Sequence, residues 1–142
     1  MSGLAGRFKG GSLLLLVFTI LGFVAGILGY LDYRGGGSLC PSSVDVVNCG
    51  RVYAIPQATI VGLHLSELAL VYFTLLTLVM VAYILSGWRW LLVVHLLLSI
   101  AGLSLVPYLI YLELAVARAL CIYCTIMHLS IIGSSLVHLY RL

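Results

Sequence analysis

Residues 12–31 are SLLLLVFTILGFVAGILGYL, a run of apolar and small residues with no charge. Arg7 and Lys9 precede it, as the charged region of a secretory signal would. The apolar run is too long for a signal core of about 7–15 residues. Tyr30, Asp32 and Tyr33 also stand where cleavage would need small residues. It is therefore read as a retained helix, since about 20 apolar residues at a rise of about 1.5 Å cross the hydrocarbon core. Gly22-x-x-x-Gly26 within it is a small-residue face suited to close helix contact.

Three further stretches reach that length, at 60–85, 91–112 and 119–140. Of the 142 residues 63% are hydrophobic and 8% charged, with a mean hydropathy of +1.25. A water-soluble domain buries about 70% of its unfolded surface at best, so this chain needs lipid as part of its solvent. The predicted class is an all-α membrane protein, a four-transmembrane-helix bundle forming a single domain over 1–142. The net charge of +3 is dispersed and argues against nucleic acid as a partner.

The connections are unequal. A polar loop over 32–59 carries Gly35-Gly36-Gly37 and two cysteines, while 86–90 and 113–118 are short turns. Trp88 and Trp90 suit the membrane interface. With an even number of spans, the termini and the 86–90 turn share a side that carries Arg7, Lys9, Arg89 and Arg141. The opposite side carries Arg34, Arg51 and Arg118. The excess of basic residues places both termini in the cytoplasm and the 32–59 loop outside. The expected location is the cell membrane, as a multi-pass protein.

On that topology Cys40, Cys49, Cys121 and Cys124 all fall on the outer, oxidising side, where disulfides form and persist. Cys121-Ile-Tyr-Cys124 places two thiols on one helix face. In a first turn, near Arg118, the positive helix end and the nearby cation favour thiolate. Three readings remain open from the residues alone. Structural zinc wants tighter spacing than the eight residues between Cys40 and Cys49, and reduced thiols. Static disulfides in a tetraspan scaffold form the second, with the outer loop stapled to the last helix. The third, redox chemistry with electrons going to a lipid-dissolved acceptor, suits a CxxC on a membrane helix best.

The residues resemble the vitamin K epoxide reductase family. Leu39-Cys40, then Asn48-Cys49-Gly50-Arg51-Val52, then Cys121-Ile122-Tyr123-Cys124 follow its order across nearly the whole chain. The resemblance implies a bundle around a quinone of ubiquinone or menaquinone type, capped by the loop. It implies a Cys40–Cys49 pair that exchanges with a thioredoxin-like extracytoplasmic protein, and a Cys121/Cys124 pair that passes the electrons on. The role is like that of the DsbB proteins in disulfide bond formation. One departure is plain: the family serine after the second loop cysteine is missing, and Val52-Tyr53-Ala54-Ile55-Pro56 offers only the tyrosine hydroxyl. That sets aside the epoxide chemistry of animal members, and leaves the thiol-to-quinone route.

His128 lies one turn deeper than Cys124 and is an expected quinone contact through its imidazole. His64 and Glu67, at similar depth in the second span, are further candidates, because an intramembrane carboxylate needs a partner or a cavity. Pro107, Tyr108 and Tyr111 near the outer end of the third span are expected to line the same pocket. His95 and His138 fall in the inner half and are read as structural.

Overall fold

The computed structural model describes residues 10–41 and 46–141, with the side chain of Arg141 left aside. Arg7 and Lys9 therefore lie outside the described residues. Four helices are long and apolar enough to cross a membrane: α1 (Gly10–Arg34), α3 (Leu65–Ser86), α4 (Trp90–Tyr111) and α5 (Ile122–Arg141). A short helix α2 (Cys49–Tyr53) sits in the segment joining α1 to α3.

The four long helices close into a ring in which α1 packs chiefly on α5 and α3, and α4 on α3 and α5. Lipid supplies no hydrophobic force between such helices, so close packing and polar contacts must hold them. The expected small-residue face does this. Gly22 lies against the ring of Phe73 and Gly26 against the backbone at Leu70, so both glycines face α3. Leu78 and Leu97 point outward from the bundle. In the half away from the cysteines, His95 joins two helices through Thr19 (3.1 Å) and His138 (2.9 Å). The hydroxyl of Thr19 already donates to Leu15 O, so His95 Nε2–H donates to Thr19 and Nδ1 accepts from His138. This fits the structural reading of both histidines.

Element boundaries move where local hydrogen bonds outweigh hydropathy. The second long helix begins at Leu65 rather than 60, because Thr59–Ile60 (β1) pairs antiparallel with Leu63–His64 (β2). The Val61-Gly62 turn between them has φ of 51° and 80°, the positive pair that a two-residue hairpin turn uses. The expected turn at 113–118 is instead a widened π-helical continuation of α4, Leu112–Ala117, stopped by Arg118 at φ 49°. The last helix then starts at Ile122.

The α1–α3 segment is folded back onto the bundle. Asp32, fully buried, accepts hydrogen bonds at Oδ1 from the N–H groups of Leu39 (2.7 Å) and Cys40 (3.1 Å). Leu120 N–H donates to Val46 O and Asn48 N–H to Leu120 O, tying the segment to the residues before α5. Asn48 caps α2 by accepting from Arg51 N–H, so Cys49 enters at the first turn of a fixed helix.

Candidate redox site

These tethers bring all four cysteines to one end of the bundle. Cys40, Cys49 and Cys121 are buried in one apolar cluster with Val52, Ala117 and Ala119, and Cys124 packs against it. Cys40 and Cys49 form a disulfide with Cα atoms 6.0 Å apart. Cys121 and Cys124 are free thiols. The pairing is the one the resemblance implied, and the loop is stapled to itself rather than to α5. Of the disulfide sulfurs, that of Cys40 belongs to the more accessible residue, 6% exposed against 0% for Cys49.

The two free thiols occupy different surroundings. Cys121 is fully buried, and its Sγ lies 3.6 Å from the Tyr53 hydroxyl and accepts from Cys124 N–H at 3.5 Å. Its thiol is held below the ordinary cysteine range, first by the side-chain hydrogen bond from Cys124. Burial and the charge of Glu113 oppose this, while Cys124 N–H and the Tyr53 hydroxyl add to it. Burial and the neighbouring Cys121 push the Tyr53 phenol up, so it stays protonated and donates. Tyr53, the only hydroxyl in the Val52–Pro56 stretch, thus reaches the CxxC sulfur itself.

Cys124 instead opens on a cavity of about 300 Å³ between α2, α3, α4 and α5. The wall is almost wholly apolar, with Phe73, Leu109 and Met127 among its residues. His128 and Glu113 bring polar atoms to it, and their Nδ1 and Oε1 are 3.8 Å apart.

Among the expected pocket residues, the cavity collects His128, His64 and Tyr108 and leaves Glu67, Pro107 and Tyr111 outside its wall. Glu67 closes a capping box on α3, accepting from His64 N–H at 2.9 Å. Tyr111 faces outward, 57% exposed. His64 touches the cavity with both ring nitrogens already engaged: Nδ1 accepts from Ser66 N–H (3.1 Å) and Nε2–H donates to Tyr53 O (3.3 Å). Its ring stacks on Tyr33 at 3.7 Å. Burial lowers its pKa, consistent with a neutral ring that both donates and accepts. His64 therefore clamps α2 to the start of α3.

The sequence matches the vitamin K epoxide reductase family over residues 13–139. The chain belongs to that family. No curated protein sequence matches it. Membership and four helices able to cross a membrane make it a multi-pass membrane protein. With a disulfide beside a free CxxC, it is a redox protein of the oxidoreductase type.

Proposed function

We propose that this family member takes electrons from a thioredoxin-like dithiol protein outside the cytoplasm and passes them to a membrane quinone of ubiquinone or menaquinone type. The net result is disulfide formation in exported proteins. The observation that carries this reading is the gradation of the cysteines: a loop disulfide, a buried Cys121 beside it, and Cys124 on the cavity. The cavity suits the acceptor, since ligand sites are apolar, carry few polar groups and begin near 300 Å³. His128 and the apolar side chains of α3 and α4 would hold its ring.

A partner thiolate attacks Cys40, the more exposed residue of the pair, and releases Cys49. Cys49 attacks Cys121 of the oxidised CxxC, forming Cys49–Cys121 and freeing Cys124. The partner's second thiol then displaces Cys40, which attacks Cys49, restores the loop disulfide and frees Cys121. Each step exchanges one disulfide for another, with its direction set by relative potentials. In this scheme an oxidised loop pair beside a reduced CxxC would be the state in which the electrons have reached Cys121 and Cys124. When bound, the quinone accepts the two electrons and two protons that leave Cys121 and Cys124 as their disulfide forms. The static scaffold, in which cysteines staple the loop to the last helix, does not match the observed pairing.

The test is quinone reduction by purified protein supplied with a reduced thioredoxin-like protein, in wild type and Cys124→Ala. The variant should lose the reaction, and attack of the Cys121 thiolate on Cys49 of the loop disulfide should leave Cys49–Cys121 with Cys40 as the free thiol, detected by peptide mapping. Quinone reduction that persists without Cys124 would refute the mechanism.

A further inference from the structure

Glu113 stands out as a carboxyl only 3% exposed, and burying such a group as an unpaired charge is costly. Its backbone is fixed by the π-helical turn: its carbonyl accepts from Arg118 N–H and, at 3.0 Å, from Ala119 N–H. Such single wide turns recur at functional sites. Oε2 accepts from Cys121 N–H at 3.2 Å, and Oε1 lies 3.8 Å from His128 Nδ1. Among the described residues His128 Nε2 has no hydrogen bond, and the ring lines the cavity with Cys124 and Glu113. Accepting one N–H needs only an amide or a carbonyl. A carboxyl adds an exchangeable proton.

We propose that Glu113 and His128 form a proton-delivering pair for the electron acceptor in this cavity, with Glu113 as the positioning and proton-storing member. The proposal rests on the quinone reading above. As a neutral acid beside neutral imidazole, or as carboxylate beside imidazolium, the pair holds the same single transferable proton. In each turnover the two thiols of Cys121 and Cys124 lose two protons and two electrons and become one disulfide. The acceptor gains the same two electrons and two protons. One proton leaves His128 Nε2 for one acceptor oxygen as Nδ1 receives the Glu113 proton, the thiol proton of Cys124, which lines the same cavity, goes to the second acceptor oxygen, and the proton released at Cys121 returns to the Glu113–His128 pair.

The experiment compares wild type, Glu113→Gln, Glu113→Asp and His128→Gln with a ring-only quinone in single-turnover oxidation of the CxxC. Glutamine keeps the acceptor for Cys121 N–H and removes the exchangeable proton. The expected result is a loss of about 10²-fold, the lower end of general acid catalysis, with partial rescue in Glu113→Asp. The loss should shrink as the pH falls. Because Tyr53, His64, Tyr72, Tyr108 and Cys124 also line the cavity, and Cys121 touches Glu113, the profile is read as the difference from wild type. The double variant should be no slower than either single, since both act in one step. Independently of turnover, infrared difference spectra between oxidised and reduced CxxC should show a carboxyl band that Glu113→Gln removes and His128→Gln shifts. Wild-type rates in Glu113→Gln, or a carboxyl band indifferent to both variants, would overturn the pair and leave the quinone route standing. Absence of quinone reduction in wild type would instead defeat the route itself. Should Glu113→Gln fail to fold, His128→Gln carries both readouts.

Discussion

Tyr53→Phe removes one atom from the site and isolates what the hydroxyl does to Cys121. The hydroxyl sits 3.6 Å from Cys121 Sγ and donates, its own ionisation being suppressed by burial. A hydrogen bond to a charged group contributes about 1.5–3 kcal/mol. With a sulfur acceptor at this distance the lower end applies, equal to about one pKa unit. The Cys121 midpoint should therefore rise by about one unit in the variant. The larger contribution from Cys124 remains in the variant. Below the midpoint the thiolate fraction falls about tenfold, but a more basic thiolate is intrinsically more reactive, with a slope of about 0.4–0.5, which restores about threefold. The net expectation is alkylation at Cys121 about threefold slower at low pH and about threefold faster than wild type at high pH. Site-resolved mass spectrometry after a small membrane-permeant alkylating reagent reads this directly. A midpoint that is unchanged or lower, or rate curves that never cross, would refute the hydroxyl's role.

Two further outcomes follow from the same geometry. Asp32→Ala should cost about 3 kcal/mol in a chemical denaturation series, since a buried and a part-buried N–H group lose their side-chain acceptor, and hydrogen exchange at Leu39 and Cys40 should accelerate. For His64, a folded pKa lowered by burial means that the unfolded chain binds more protons below about pH 6.5. Its contribution to stability is thus complete above that pH and is lost as the pH falls toward the lowered folded value. His64→Asn keeps a capping side chain without a titrating ring, so the wild-type minus variant stability difference should show this slope, measured by thermal unfolding across pH.

Residues 12–31, where the reading began, were legible because hydropathy is a local property and one helix turn needs no distant partner. The same holds for the spans as a set, for the glycine face at Gly22 and Gly26, and for the cysteine order. The carboxyls show the opposite case. Glu67 looked like the intramembrane acid, and the structure places it in the first turn of α3, where it caps the helix by accepting from His64 N–H. Glu113 looked like part of a surface turn, yet the π-helical widening carries it inward to Cys121 and His128. A lone acid in the otherwise apolar Leu112-Glu-Leu-Ala-Val-Ala117 was the signal for it. Tyr53 was visible as the hydroxyl in the serine's stretch, but its reach to Cys121 depends on the loop being folded back by Asp32 and Leu120. Sequence by itself determined the membrane class, the four spans and the family's cysteine order, all set by neighbours along the chain. The tertiary structure decided which polar groups share the cavity with Cys124, because burial and direction depend on helix register and on contacts between residues far apart in sequence.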